Sequence, residues 1–168
     1  MSEIGVESLG QTAENRDIWV YKVNHEAEKT IGIDCGRSAR DWLSISFCLE
    51  LIDRLSAGKH NDVNWIVVPV VNPDGYQYTI TTDRQWNKNR KRHETGQLCA
   101  GTDLNKNFPW QWDKLGDNPC STDYPGPNGA SEAETMALIE MIDSHLPDAY
   151  LSITTFGQLV TYPFDYDK

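Results

Sequence analysis

The sequence predicts an α/β layered domain with a mixed sheet flanked by helices. Three observations carry that expectation. In residues 30–48, TIGIDCGRSARDWLSISFC, an alternating apolar run of Ile31, Ile33 and Cys35 stops at Gly36, and a helical period follows with Trp42, Ile45, Leu49 and Ile52 on one face. Residues 63–71, VNWIVVPVV, are almost continuously apolar, as in a strand buried on both faces. Residues 131–134, Ser-Glu-Ala-Glu, form a capping box that opens a helix to about His145, with Leu138, Met141 and Ile142 inward.

The elements follow in order. Residues 1–15 are polar and acidic and are expected to be loosely held or disordered. Residues 17–23, DIWVYKV, read as a strand with bulk on both faces, and residues 24–29 as a polar turn. The next strand, 30–35, follows so closely that the two are expected to pair as a hairpin. The strand-turn-helix junction sets Ser38, Arg40 and Asp41 above the carboxyl end of the strand, where open α/β sheets keep their ligands. The helix is expected from about 40 to 55, with Gly58 as its C′ residue. Pro69 lacks a ladder donor, so that end of the 63–71 strand should lie at an edge or a break in pairing. Asn72-Pro73-Asp74-Gly75 reads as a turn. From 76 to 128 no sustained period appears, and a segment so long and irregular is expected to build a binding surface or to be stapled. Pro147 ends the capped helix, and a strand at 150–154 and a shorter apolar run at 159–163 complete the chain.

The 168 residues fit one domain with a real core, and 39% hydrophobic with 24% charged residues is ordinary for a globular protein. No apolar stretch is long enough to span a bilayer, and the acidic N-terminus is not a signal peptide. A net charge of −10 argues against nucleic-acid and anionic-membrane partners. The local exception is residues 88–93, KNRKRH, read as a solvated surface loop, with an anion site as the functional alternative. Four cysteines allow three pairings. The two local ones, Cys35 with Cys48 and Cys99 with Cys120, would each contribute roughly 3 kcal/mol. Four reduced thiols remain the alternative.

The order of motifs is more specific than the composition. Ile33-Asp34-Cys35-Gly36, Ala39-Arg40-Asp41-Trp42, Asn72-Pro73-Asp74-Gly75-Tyr76, Arg84-Gln85-Trp86, residues 99–107, Cys120, Ser131-Glu132, and Leu151-Ser152-Ile153 through Tyr162-Pro163 resemble the zinc metallocarboxypeptidases of the carboxypeptidase A and B type. They stand in the family's order over nearly the whole chain. The resemblance implies a carboxypeptidase-like (phosphorylase/hydrolase-like) mixed sheet, disulfides Cys35–Cys48 and Cys99–Cys120, secretion, and removal of C-terminal residues from peptides.

It also exposes departures. A catalytic zinc needs three protein ligands and an open position. The family's histidine, glutamate and second histidine fall here on Ser38, Asp41 and Thr154, of which only Asp41 is an ordinary zinc donor. Asp103 matches the carboxylate that orients the first metal histidine, and without that client it reads as a loop carboxylate bonding nearby backbone. The clamp on the substrate carboxylate matches Asn105-Lys106, where lysine keeps charge but loses the bidentate fork of arginine. Asn87 stands where an arginine would stabilise the oxyanion, and Phe156 replaces a tyrosine. Arg40 and Arg84 match the pattern. The chain ends at Asp167-Lys168, so the domain, 1–168, is expected to be partial, without the family's general-base glutamate.

The resulting expectation is a secreted carboxypeptidase-like pseudoenzyme without zinc, binding peptide C-termini through Arg40, Asn105 and Lys106, with Asn87 and Phe156 beside them. One alternative is an active zinc carboxypeptidase, with metal on Asp41 and other ligands. His25, His60, His93 and His145 lie outside the matching positions, and His145 suits a helix C-terminus. The other alternative is an interaction module built on residues 76–128, with a protein partner.

Overall fold

The computed structural model describes residues 4–58, 62–92, 99–112 and 116–163. His60, His93 and the chain end at Asp167 and Lys168 lie outside the described residues. Five strands form one sheet in the order β1-β2-β4-β3-β5: β1 (Ile4–Gln11), β2 (Asp17–Val23), β3 (Lys29–Cys35), β4 (Val63–Val68) and β5 (Ala149–Ile153). β1–β2 and β2–β4 pair antiparallel, β4–β3 and β3–β5 parallel. The mixed sheet expected from the sequence is therefore present.

Two helices cover its faces. α1 (Trp42–Ala57) packs through Cys48, Ile52 and Leu55 onto Val23, Ile33, Cys35 and Val67. Ile18, Val20, Ile66 and Val68 point the other way, onto Ala137, Leu138 and Met141 of α3 (Ala133–His145). Residues 66–68 of β4 thus send alternate side chains into opposite cores, which explains its unbroken apolar run. Pro69 marks the end of the strand's pairing, as its missing donor requires.

That central place overturns the expected hairpin. β4 lies between β2 and β3, because a strand apolar on both faces gains most from a neighbour on each edge. The 24–28 connection instead crosses the end of β4, where Asn64 accepts from the Ala27 N–H at 3.0 Å and donates to the Ala27 carbonyl at 2.8 Å. From residue 4 onward the N-terminal segment is likewise not loose. β1 occupies most of it, paired along β2 from Ile4↔Val23 to Gln11↔Asp17.

Four local expectations also change. Leu49 is 49% exposed, and Cys48 takes the inward place on α1 because the disulfide to Cys35 draws it to the sheet. Gly58 caps α1 with extended rather than left-handed backbone, its N–H bonding to Arg54. Asn72-Pro-Asp-Gly is the start of a helix, α2 (Pro73–Thr81), and not a free-standing turn: Asn72 accepts from the Gly75 N–H at 2.9 Å, and Pro73 sits in the first turn where no donor is needed. The N-cap of α3 is Glu132, not Ser131, because the Ser131 hydroxyl is turned toward the Glu132 carboxylate at 2.7 Å.

Candidate functional site

β3 ends at Cys35, and the chain turns at Gly36, whose φ of +69° suits glycine; an added Cβ would lie 2.7 Å from Ile45. Residues 37–41 then cross the carboxyl end of the sheet before α1 begins. The end of β5, the 99–107 segment and residues 84–89 all make hydrogen bonds to this stretch. Ala39 N–H binds the Asn87 carbonyl at 3.0 Å and Asn72 N–H the Gly36 carbonyl at 3.1 Å, fixing the junction.

Asp41 is 1% exposed and stands at the N-cap of α1, yet its side chain makes no capping bond. Its carboxylate faces β5 instead. Thr154 donates its hydroxyl to Asp41 Oδ2 at 2.8 Å, and the Thr155 N–H reaches both oxygens at 3.0 Å. The Thr155 hydroxyl donates to Oδ1 as well. Every one of these groups is a donor to a carboxylate that can only accept. Ser38, also buried, accepts from Asn105 Nδ2 at 2.9 Å. Asn105 Nδ2 also donates to Asp103 at 3.3 Å, so the amide links the two positions. Asp103 caps a short 3-10 turn, Leu104–Lys106, through the Asn105 N–H at 3.1 Å. Burial pushes the Asp103 carboxyl above the usual carboxylate range, against the bonds from Asn105.

The structure therefore joins Ser38 with Asn105 and Asp41 with Thr154. It places the remaining matched residues around them without such bonds between side chains among the described residues. Arg40 is exposed, and its carbonyl accepts from Arg84 at 2.9 Å while the Arg84 guanidinium lies 4.1 Å from the Trp42 ring centre. Asn87 donates to the Thr122 carbonyl at 3.3 Å. Lys106 is half-buried, its charge acting on Asp103 and Asp123. Phe156 is 93% exposed. An open cavity of about 380 Å³ adjoins Asn87, with Tyr78, Trp86, Lys88, Arg90 and Thr122 in its walls.

Residues 88–91 of the basic run are not a solvated loop, whereas Arg92 is exposed. Lys88 is buried with its ammonium on the Pro119 carbonyl at 2.7 Å, and that burial lowers its pKa. Arg90 lies 3.8 Å from the Tyr78 ring centre and 4.7 Å from that of Trp86, and Lys91 donates to the Ser131 carbonyl at 2.8 Å. His145 stands in the last turn of α3 with Nδ1 at 2.9 Å from the Met141 carbonyl, as a cap residue.

Sequence reasoning missed Thr155. The signal was available in the doubled Thr154-Thr155, since a hydroxyl beside a matched ligand position can reach the same partner. It also missed Arg37, which forms a bidentate pair with buried Asp34 at 2.7 and 2.5 Å, joined by the Ser152 hydroxyl at 3.1 Å. Cys35–Cys48 and Cys99–Cys120 are both disulfide-bonded.

As a metal centre the donor set does not fit zinc. It offers one carboxylate, already engaged by hydroxyl and amide donors, and two neutral hydroxyls. Among the described residues no three His, Cys, Asp or Glu side chains converge on a point that could hold an ion.

Comparison with known proteins gives the geometry its context. Residues 2–168 match the family described as zinc carboxypeptidase. Mast cell carboxypeptidase A of Rattus norvegicus is 38% identical over 94% of this chain and 42% of its own length. Carboxypeptidase B of Bos taurus is 38% identical over 99% of this chain and 42% of its own length. Among solved structures, bovine thrombin-activatable fibrinolysis inhibitor in complex with tick carboxypeptidase inhibitor superposes with a TM-score of 0.89 at 32% identity, covering 98% of this chain and 58% of that one. Carboxypeptidase A from Helicoverpa armigera gives a TM-score of 0.85 at 31% identity, covering 92% and 41%. The chain thus spans about two-fifths of the length of these curated relatives.

Proposed function

The chain belongs to the zinc carboxypeptidase family, and from that premise we propose that it is a non-catalytic member, a pseudoenzyme that binds peptide C-termini weakly outside the cell. The observation that carries this reading is the state of Asp41. Of the three positions matching metal ligands it alone has an ordinary zinc donor, and Thr154 and Thr155 hold both its oxygens. Peptide hydrolysis by a metal site needs a polarised carbonyl and an activated water, which a zinc on three good ligands supplies together. Hydroxyls at Ser38 and Thr154 cannot replace imidazoles in that role. No hydrolytic step is therefore assigned to this site.

Binding needs less. A peptide carboxylate would be drawn by Arg40 and Lys106, with Asn87 and the adjoining cavity available to residues further along the peptide. Asn105 positions rather than clamps, because its amide protons already serve Ser38 and Asp103. Lysine gives a point charge and no fork, so the affinity expected is roughly millimolar. The two disulfides support an oxidising, extracellular setting.

The test is a titration of the zinc-incubated protein with a peptide bearing a free C-terminus and with its C-terminal amide, alongside an assay for release of the last residue. Binding of the acid but not the amide, reduced by Lys106→Ala and without release, is the expected result. Chelator-sensitive release would overturn the non-catalytic reading, and equal binding of acid and amide would overturn the C-terminus reading.

A further inference from the structure

Behind the site, on the α3 side of the 86–92 and 99–103 segments, lies a second cluster that the proposed binding does not use. Asn89, Glu132 and Glu134 are all at most 1% exposed. The Asn89 amide donates to Glu132 Oε2 at 2.8 Å and to Glu134 Oε2 at 3.2 Å, so two buried carboxyl groups share one donor group. Its carbonyl oxygen accepts from the Thr102 N–H at 2.8 Å, and its backbone N–H donates to the Thr102 carbonyl at 3.0 Å. Asn89 therefore pins the segment carrying Asp103 and Asn105 to the segment carrying Asn87. Approach there is so close that a Cβ on Gly101, whose φ is +83°, would lie 2.2 Å from the backbone carbonyl oxygen of Asn89.

The two carboxyl groups are not equivalent. Glu132 Oε1 accepts from Ser131 at 2.7 Å and has Lys91 at 3.6 Å. Glu134 Oε1 is buried without a hydrogen-bond partner among the described residues. A protonated oxygen can occupy such a place, whereas an ionised one would be costly.

We infer that the Glu132–Asn89–Glu134 cluster is a proton-operated latch on the two segments that carry the site. With one proton on the carboxyl pair the segments are pinned. When it leaves, two like charges compete for one amide, and the segments loosen.

The surroundings agree in sign. Burial pushes Glu134 up to about 7, and Glu132 and Asp74 act in the same direction, against the hydrogen bond from Asn89. The groups facing the pair are Lys91 and Asn89 from the 86–92 segment, Tyr124 opposite Glu132, and Asp74 of α2. Asp74 is itself held by Thr12, the Glu14 N–H and Arg16. A folded-state carboxyl above its unfolded value gives stability that is complete below the unfolded value and lost as pH rises through the folded one.

The experiment compares the full chain with Glu134→Gln, which keeps shape and stays neutral. Urea unfolding between about pH 5 and about pH 8 should show the native chain's folding constant falling relative to the variant, on the order of a hundredfold. Tryptic cleavage after Lys91 or Arg92, corrected with an unstructured peptide, should accelerate over the same interval in the native chain alone. Parallel stability curves would overturn the latch, and so would a stability difference without a cleavage difference. Should Glu134→Gln not fold, the infrared band of a protonated buried carboxyl in the native chain decides. Its disappearance on raising pH through neutrality supports the latch, and its absence at about pH 6 overturns it.

Discussion

Thr154 donates its hydroxyl to Asp41 at 2.8 Å across 113 residues of chain, joining the end of β5 to the start of α1. In the family's motif pattern these two positions match metal ligands. Here they share a hydrogen bond, and an N-cap aspartate has left its own helix to make it. The contact is therefore structural, and its removal should be felt in stability.

Asp41→Ala should destabilise the fold by about 1 to 2 kcal/mol, because it removes the buried acceptor of Thr154 and Thr155, whose donors can turn in part to water. Chemical denaturation measures it. A loss inside the scatter of ordinary surface substitutions would show that the end of β5 is not held by this carboxylate.

The assignment of ligand positions can be tested by restoring them. Ser38→His, Asp41→Glu and Thr154→His combined should raise zinc content from well below one to about one per chain. Elemental analysis after gel filtration reads the change. If the combined variant takes up no more metal than the native chain, these three positions do not converge.

Replacing Cys35 and Cys48 together by serine should lower stability by roughly 3 kcal/mol, and reducing agent should have no further effect at that pair. Thermal unfolding with and without reductant, combined with mass analysis of the remaining Cys99–Cys120 link, distinguishes the two bridges.

Leu138 is 1% exposed in the core beneath α3. Leu138→Ala should lose about 2 to 5 kcal/mol. By contrast Leu49→Ala, on the exposed side of α1, should lose well under half of that. Equal losses would mean that α1 is rotated from the orientation described.

Burial raises the Asp103 carboxyl, so its protonated form is favoured by folding and its contribution fades as pH climbs through the folded-state value. Asp103→Asn, neutral at every pH and still able to cap the 3-10 turn, should gain on the native chain as pH rises out of the acid range. Paired denaturation curves at acid and neutral pH check this; a variant that loses ground to the native chain as pH rises contradicts the sign.

What could be read from the sequence depended on how local the deciding force was. The β3–α1 junction, the double-faced β4 and the inward face of α3 each show a period or a breaker within a dozen residues, and all three are present. β1 and the partners of β2 could not be read this way, since pairing is settled by which strand needs two neighbours. α2 was hidden by its cap, because Asn72 and Pro73 look the same opening a turn or a helix. Within the site, the motif order singled out Ser38, Asp41 and Thr154. That Ser38 would find Asn105, and Asp41 both threonines, depends on contacts made by residues distant in sequence.

The sheet's strand order also sets a timetable for synthesis. β3, α1 and β4 form a parallel unit that can close, with β2 alongside, once residue 68 has emerged. β5 joins the outer edge of β3 only after residue 153 has emerged. Until then Asp41 has neither threonine. Among the described strands, the contact to Asp41 is thus the latest that this end of the sheet can form, because its threonine donors follow every other strand in the chain.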